Sequence, residues 1–164
     1  MHADKPMPTA DKLPVSVLVV IHTSALDVLL IERAQQPGFW QSVTGSLDAL
    51  DEPLAATAAR EVEEETGIRV GSRNVPHDAL RDWNLANVYE IYPLWRHRYA
   101  PGEWKNTEHV FSLEVPMGTP VTLAPREHRA QVWLPWPEAA RRCFSASNAA
   151  AIEQLPRRAS RWRR

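Results

Sequence analysis

Three glutamates on one short segment constrain this chain more than any other feature. Glu61, Glu64 and Glu65 recur at i, i+3 and i+4, and at about 100° per residue an α-helix gathers such positions into one narrow arc of its surface. An apolar stripe lies beside that arc and consists of Ala55, Ala58, Ala59 and Val62. Pro53 suits the first turn of a helix, and Gly67 suits its C-terminal end. The pattern predicts a helix that packs on a core and carries its carboxylates at the edge of that core.

These carboxylates repel one another on a bare helix and weaken it. A hard divalent cation such as Mg²⁺ or Mn²⁺ removes the repulsion, because it prefers carboxylate oxygens and keeps water ligands that a phosphate can displace. The alternative is a solvated acidic face, which is what most glutamate runs form. Glu63 fits that alternative, since it projects away from the other three. The adjacent apolar stripe favours a metal site at Glu61, Glu64 and Glu65.

The segment around this helix resembles the signature of the Nudix hydrolases, which joins a glycine, a loop glutamate and the helical run Arg-Glu-aliphatic-X-Glu-Glu-X-Gly-aliphatic. The residues that match are Glu52, Arg60, Glu61, Val62, Glu64, Glu65, Gly67 and Ile68. The loop departs from the signature, because six residues instead of five separate Gly45 from Glu52. Asp51 is therefore an alternative loop acid. The resemblance implies an α/β/α sandwich around a mixed β-sheet and a phosphorylated substrate.

Composition narrows the class of protein further. A chain of 164 residues is most simply one domain with a substantial core. The net charge of −1 provides no overall field to recruit nucleic acid or a membrane surface. The longest wholly apolar run, residues 17–21, is too short to cross a bilayer, and we expect no signal peptide. The single cysteine, Cys143, fits a reducing compartment. We therefore expect a cytoplasmic protein that binds neither nucleic acid nor membrane, and the resemblance implies that its ligand is a small phosphorylated molecule.

Alternating apolar and polar stretches predict strands on both sides of the acidic helix. Strands are expected at residues 14–21, 28–32, 39–44, 68–70, 87–95, 110–115 and 131–134, and further helices at 137–142 and 148–155. Strands mixed with two or three helices indicate an α/β sandwich around a mixed sheet. We expect a flexible segment at residues 1–11, the domain at 12–155 and an arginine-rich, disordered tail at 156–164.

Basic and hydroxyl groups near the acidic helix are expected to hold phosphate oxygens. Lys12 precedes the first predicted strand, Arg33 follows the second, and Thr44 immediately precedes the signature glycine. Each of these residues alone is more often part of an ordinary surface. Their shared position at strand ends beside the signature favours phosphate binding.

Four further runs, at residues 14–16, 39–45, 96–102 and 106–108, resemble one bacterial branch of the Nudix family, which hydrolyses dihydroneopterin triphosphate with Mg²⁺. The resemblance implies dihydroneopterin monophosphate and pyrophosphate as products and a role in folate biosynthesis. It implies metal ligation by Glu61, by Glu65 and by an acid outside the signature, which matches Glu127. Substrate contacts implied in the same way fall on Lys12, Arg33, Thr44, Tyr89, Glu90, Ile91, Tyr92 and Ser145.

Tyr89 and Tyr92 suit a flat heterocycle, because an aromatic face can stack on it. On one continuous strand they lie on opposite faces, so we expect only one of them to line the pocket. Ordinary packing of both rings is an equal alternative. The basic run at residues 96–99 is too short to indicate a nucleic-acid surface and fits an edge strand or a triphosphate contact.

The expected reaction is attack of water on phosphorus beside metal ions held by the four glutamates named above. Glu64 and Glu127 are both candidate general bases. Arg60 is expected to orient the helix and loop through a carboxylate, for which Glu52 is the matching acid. The alternatives are a Nudix enzyme for nucleoside triphosphates, such as dATP or oxidised purine nucleotides, and a non-catalytic domain that senses a phosphorylated ligand.

Overall fold

Seven strands and three α-helices make up residues 11–163, the part of the chain that the computed structural model describes. The strands are β1 (Val15–His22), β2 (Asp27–Arg33), β3 (Trp40–Gln41), β4 (Val43–Ser46), β5 (Leu80–Glu90), β6 (Lys105–Glu114) and β7 (His128–Pro135). The helices are α1 (Leu54–Thr66), α2 (Trp136–Arg142) and α3 (Ala146–Trp162), with 3₁₀ segments at His77–Ala79 and Pro93–Arg98. The predicted flexible segment, apart from residue 11, lies outside the described residues.

Strand β1 is the centre of a mixed sheet. It pairs in parallel with β6, from Val15 opposite Thr107 to His22 opposite Glu114. On its other edge, β1 pairs antiparallel with β4 and, at His22 and Val28, with β2. Strand β5 pairs antiparallel with β6, while β3 and β7 pair antiparallel with β2. The strand order is therefore β3-β2-β1-β6-β5, with β4 and β7 attached to β1 and β2.

Residues of β1 alternate between two apolar layers, as the pleat of a strand requires. Val17 and Val19 lie in the layer beneath α1 together with Val62. Leu18 and Val20 lie in the opposite layer, beneath α2 and α3. Because both faces of the sheet are covered, β1 is a continuous apolar run instead of an alternating one. This arrangement confirms the predicted α/β/α sandwich around a mixed sheet.

The predicted strand at residues 68–70 is wrong. Gly67 ends α1 in the left-handed conformation, with φ 75°, and residues 68–70 form an irregular connection. Ile68 is buried in the core beneath α1, so its apolar character reflects burial and not a ladder of hydrogen bonds. The predicted strand at residues 39–44 is divided into β3 and β4, which pair with different neighbours.

Strand β5 starts earlier and ends earlier than predicted. It ends at Glu90, and a 3₁₀ helix begins at Pro93. Proline has no N–H for a ladder but suits the first position of a helix. This break removes Tyr92 from the alternation of the strand.

Residues 156–162 continue α3, although the sequence predicts a disordered tail there. Leu155 and Ala159 are buried, and the Trp162 ring lies 6.0 Å from the His22 ring. These three positions recur at i, i+4 and i+7 and form an apolar face among the arginines. Pro156 lies inside this helix. Arg164, the last residue of the predicted tail, lies outside the described residues.

Helices α1 and α3 each combine a buried apolar face with a charged one. In α1, Ala58 and Val62 are buried while Glu63 is exposed, and in α3, Ile152 is buried while Glu153 is exposed. Within residues 11–163, none of the helices has both the length and the apolar character that a membrane-spanning helix requires.

Candidate active site

Packing of α1 fixes which of its carboxylates reach the site. Ala58 and Val62 are fully buried against the sheet, which sets the rotation of the helix. Glu65 is consequently only 3% exposed, Glu61 is partly buried, and the Glu64 side chain is 54% exposed. The three glutamates therefore form a gradient from the core to solvent along one edge of the helix.

The signature glycine, Gly45, leaves room for one of these carboxylates. A methyl group at Gly45 would overlap the carboxylate of Glu61. Gly45 lies in β4, which pairs with β1 through Val17, so the backbone at this point is held by the sheet. Glycine is needed here for the close approach of a side chain to a strand.

Arg60 joins α1 to the loop that precedes it. Its guanidinium donates through Nε to Glu52 Oε2 and through Nη2 to Glu52 Oε1, both at 3.0 Å. It also donates to the Ser46 carbonyl at 3.2 Å, and the Asp48 N–H donates to Glu52 Oε1 at 2.8 Å. The Arg60 hydrogen bond lowers the pKa of Glu52 to about 2. Glu52, and not the alternative Asp51, is therefore the loop acid that Arg60 contacts, so the extra loop residue does not break the pairing.

Arg60 also contacts two of the site glutamates. Its Nη1 lies 3.0 Å from Glu61 Oε2 and 3.3 Å from Glu64 Oε1. Both carboxylates thus face the guanidinium. Within residues 11–163, no three His, Cys, Asp or Glu side chains converge as a metal site.

The two buried glutamates of α1 carry an electrostatic strain that a cation would relieve. Burial, followed by the carboxyl of Glu61, raises the pKa of Glu65 well above its ordinary value, and burial also raises the pKa of Glu61. Glu65 Oε1 is buried without a hydrogen-bond partner in the described part of the chain. His128 Nε2 lies 3.9 Å from that oxygen, but burial lowers the pKa of His128 to about 4, so the imidazole is neutral. This oxygen-rich set fits a hard divalent cation.

All four glutamates predicted as metal ligands line one pocket of about 360 Å³. Glu127 reaches it from the turn before β7, on the opposite side from α1. The rest of the lining is mainly basic and polar and includes Lys12, Arg33, Gln41, Thr44, Arg98 and Arg126. We refer to this space as the acidic pocket.

Three cations gather beside the acidic pocket. The Lys12 N–H donates to the Arg98 carbonyl at 2.8 Å, which brings the first described residues beside the 3₁₀ segment. Burial, followed by the nearby charge of Arg98, lowers the pKa of Lys12. The same two causes, in the same order, lower the pKa of Arg33. A bound polyanion would offset this mutual repulsion. Arg98 lies in the basic run that the sequence linked to an edge strand or a triphosphate contact, and the structure shows a 3₁₀ helix there.

A second cavity, of about 220 Å³, adjoins the acidic pocket and shares part of its lining. We refer to it as the aromatic cavity. Of the predicted substrate-binding residues, those that line it are Lys12, Arg33, Thr44, Tyr89, Ile91, Tyr92 and Ser145. Glu90 does not line it, and its carboxylate lies 3.7 Å from Arg96 on the surface. Glu90 points away because residues alternate along β5.

The expectation that only one of Tyr89 and Tyr92 lines the cavity is wrong, because both do. Tyr89 lies in β5, but the strand ends at Glu90 and the chain turns before the 3₁₀ segment. The face alternation on which the expectation depended does not extend to Tyr92.

Three aromatic rings, those of Tyr92, Trp95 and Phe144, form one wall of the aromatic cavity, and Phe39 packs against them without lining it. Tyr92 stacks on Trp95 at 5.3 Å, and Phe144 stacks on Phe39 at 4.6 Å between ring centroids. Phe144 and Trp95 meet edge to face at 5.9 Å. Arg33 lies 4.4 Å above the Trp95 ring. Sequence reasoning did not assign Trp95 or Phe144 to the site.

A group of polar residues also lines the aromatic cavity, and the sequence pointed to residues 106–108 only as part of the family resemblance, without a role in the site. Glu108 accepts from Ser147 at 2.9 Å and from Tyr89 at 3.4 Å, and Asn106 donates to the Tyr89 hydroxyl at 3.1 Å. Asn106 and Glu108 lie two residues apart on β6, so both side chains are on the same face of the sheet. Two polar residues at alternate positions before the apolar pair Val110 and Phe111 were the signal available in the sequence.

The start of α3 is held against β3 and β4, which fixes the serines near the cavity. Asn148 accepts from the Ser42 N–H at 2.8 Å and donates to the Ser42 hydroxyl at 3.0 Å. Ser145 caps the helix by accepting from the Asn148 N–H at 3.4 Å. The hydroxyl of Ser147 is thereby positioned to donate to Glu108.

Comparison with known proteins agrees with this arrangement. Residues 12–155 match the NUDIX domain. The chain is 42% identical to the dihydroneopterin triphosphate diphosphatase of Escherichia coli K12 over 88% of its own length and 93% of that protein. It is 37% identical to the Haemophilus influenzae protein of the same name, over 85% of each chain. The solved structure of the E. coli dihydroneopterin triphosphate pyrophosphohydrolase superposes with a TM-score of 0.81 and 41% identity, covering 89% of this chain and 97% of that one. The chain belongs to the Nudix family.

Proposed function

We propose that this protein hydrolyses dihydroneopterin triphosphate to dihydroneopterin monophosphate and pyrophosphate, with Mg²⁺ as its metal and Mn²⁺ as a possible substitute. One observation carries the proposal. The acidic pocket and the aromatic cavity share the residues between them, which are Lys12, Arg33, Gln41, Thr44, Gly45 and Arg98. A flat heterocycle joined to a triphosphate requires an aromatic wall for the ring, then cations for the phosphates, then carboxylates for a metal. We refer to the shared cations Lys12, Arg33 and Arg98 as the cationic bridge.

The relatives support the pterin substrate. Two bacterial proteins named dihydroneopterin triphosphate diphosphatase are 42% and 37% identical to this chain over most of its length. A substrate of this kind would place the protein in the cytoplasmic route to folate, and the single Cys143 is compatible with that reducing compartment.

Nudix hydrolases generally use divalent metal ions, and the acidic pocket suits one. Glu61, Glu64, Glu65 and Glu127 would hold the metal, which when bound offsets phosphate charge and lowers the pKa of a bound water. Each of these residues lines the pocket, and carboxylate oxygens are the ligands that Mg²⁺ prefers.

The chain's own residues then position the substrate and receive a proton. Lys12, Arg33 and Arg98 hold the phosphate oxygens and neutralise charge that develops in the transition state. Water attacks phosphorus in line, an oxygen–phosphorus bond forms, the phosphoanhydride bond breaks, and pyrophosphate leaves. Glu64 or Glu127 accepts the proton of that water, since both carboxylates reach the pocket and are exposed. The two hydrogen bonds between Arg60 and Glu52 hold α1 and the loop before it in place.

Purine nucleoside triphosphates are the second candidate substrates. The aromatic cavity accepts a flat ring by stacking, and the cationic bridge would hold any triphosphate. A purine nucleotide therefore fits the same geometry, and a direct comparison of rates separates the two candidates.

The test is a substrate panel with purified protein and Mg²⁺. Dihydroneopterin triphosphate, dATP and dGTP are incubated separately, and pyrophosphate is resolved from orthophosphate among the products. We expect the highest kcat/KM for dihydroneopterin triphosphate, with pyrophosphate as the product. A higher kcat/KM for either nucleotide would replace this proposal with the second candidate, and tight binding without turnover would indicate a sensor domain.

A further inference from the structure

Glu108 is a buried acid in the middle of the sheet. It lies on β6 opposite Ser16 of β1 and Asn87 of β5, is 4% exposed and lines the aromatic cavity. Charged side chains are rarely buried without a partner or a role. The apolar layers of the fold do not require an acid at this position.

The partners of Glu108 in the described part of the chain are neutral. The hydroxyl of Ser147 donates to its Oε1 at 2.9 Å, and the hydroxyl of Tyr89 donates to its Oε2 at 3.4 Å. A carboxylate offers about four acceptor sites, so Glu108 can accept further hydrogen bonds. Asn106 Oδ1, on the same face of β6, is a second buried acceptor without a partner among residues 11–163.

The edge of the heterocycle determines what these acceptors can recognise. A 2-amino-4-oxo ring, as in pterin and guanine, presents a ring N–H beside an amino group, which is a pair of donors. A carboxylate matches two adjacent donors with two charge-assisted hydrogen bonds. Adenine instead presents an acceptor beside its amino group, so its ring nitrogen would face the negative carboxylate.

We propose that Glu108 selects 2-amino-4-oxo heterocycles by accepting hydrogen bonds from the ring N–H and the 2-amino group, with Asn106 Oδ1 as an additional acceptor. This inference rests on the proposed function, because it places the ring of the substrate in the aromatic cavity. It assigns substrate choice to a residue on β6, away from the carboxylates of α1.

The first test uses the wild-type protein and needs no variant. We would measure inhibition constants of dGTP and dITP as competitors of dihydroneopterin triphosphate hydrolysis, since dITP differs only in lacking the 2-amino group. We expect dGTP to bind at least about tenfold more tightly, the effect of a good directional contact to a base edge. Equal inhibition constants would overturn the proposal.

The second test is Glu108→Gln, with Glu114→Gln as a matched control on the same strand. Glutamine presents one acceptor and one donor, which suits an adenine edge and mismatches a pterin edge. We expect the ratio of kcat/KM for dihydroneopterin triphosphate to that for dATP to fall by about tenfold to a hundredfold. Glu114 pairs with Arg163 at the far end of β6, and its variant should retain the wild-type ratio.

The outcomes separate this inference from the proposed function. If the wild-type protein releases no pyrophosphate from dihydroneopterin triphosphate, the proposed function fails. If the wild-type protein is active but Glu108→Gln folds and keeps its substrate ratio, only the inference fails. If Glu108→Gln does not fold, the comparison of dGTP with dITP decides.

Discussion

The acidic pocket and the aromatic cavity adjoin each other but are built in different ways. Three of the four glutamates of the acidic pocket come from one helix, where the spacing of Glu61, Glu64 and Glu65 is local. The aromatic cavity is lined by residues of β5, β6, a 3₁₀ segment and the start of α3, and by neighbouring residues such as Tyr92. A helix repeats its geometry every turn, whereas a cavity of scattered segments exists only after folding.

This difference indicates a division of labour. The carboxylates face the phosphate end of the proposed substrate, and changes there should mainly alter kcat. In the proposed complex the rings and the buried Glu108 would face the heterocycle, and changes there should mainly alter KM and substrate choice. The shared cations, which include Lys12 and Arg33, should influence both. The first three of the four predictions below test this division, and the fourth concerns the pH dependence of stability at Glu108.

The largest effect is expected at the buried carboxylate of the acidic pocket. Glu65→Gln should lower kcat about a thousandfold, as expected for a key site group, while circular dichroism and the melting temperature remain close to wild type. Glu64→Gln should behave similarly. Glu63→Gln is the matched control, since Glu63 lies on the same helix but pairs with Arg69 on the outside. Near-normal turnover by Glu65→Gln would remove that residue from the proposed site.

A backbone change at Gly45 should have a smaller effect on the same pocket. The methyl group of Gly45→Ala would collide with the Glu61 carboxylate and displace it. Displacement by about 1 Å can lower a rate about a hundredfold, so we expect that order of loss in kcat with little change in KM. Steady-state kinetics would measure both constants. A rise in KM alone would contradict the assignment of Glu61 to the phosphate end.

At the aromatic cavity, Trp95→Ala should raise KM and leave kcat nearly unchanged. Stacking on an aromatic ring contributes about 1–3 kcal/mol per base, which corresponds to a rise in KM of about fivefold to a hundredfold. Trp104→Ala is the control, because Trp104 is exposed and does not line the cavity. A loss confined to kcat would show that the two regions do not divide their roles in this way.

The smallest effect concerns the pH dependence of stability at Glu108. Burial raises the pKa of Glu108 above its ordinary 4.5, so the folded protein holds this proton more tightly than the unfolded chain. The resulting stabilisation is present below about pH 4.5 and is lost as the pH rises through the raised pKa. Relative to Glu108→Gln, the wild-type protein should therefore lose free energy of unfolding as the pH rises from about 4.5 through the raised pKa of Glu108. Urea denaturation at several pH values would measure this difference, and a constant difference would contradict it.

Sequence reasoning predicted the parts of the fold that depend on local periodicity. The acidic helix is found at Leu54–Thr66, and β1 lies within one residue of its predicted start and end. Sequence reasoning wrongly predicted a strand at Ile68, which is buried in an irregular connection. It also wrongly predicted a disordered tail around Trp162, which lies on the apolar face of a helix whose other residues include several arginines. In both places the short pattern was compatible with two structures, and packing decided between them.

The residues of the site also divide into those that the sequence could predict and those that only packing brings together. The pairing of Arg60 with Glu52 crosses a short loop and could be anticipated from the resemblance to the family signature, with Asp51 as the alternative acid. The contact between the Trp95 and Phe144 rings could not be predicted, because the two residues lie far apart in the chain and no local pattern places them together. The error over Tyr92 had the same origin, since it depended on where β5 ends.

The sequence by itself determined the family, the sandwich architecture and the arc of carboxylates on α1, because each depends on spacing within a few helical turns or on apolar strands. Only the tertiary structure decided that Glu108 is buried beside the aromatic wall and that Glu90 is not part of it. The physical reason is that strand registers and the packing of α3, which hold Ser147 against Glu108, depend on contacts between residues far apart in the chain.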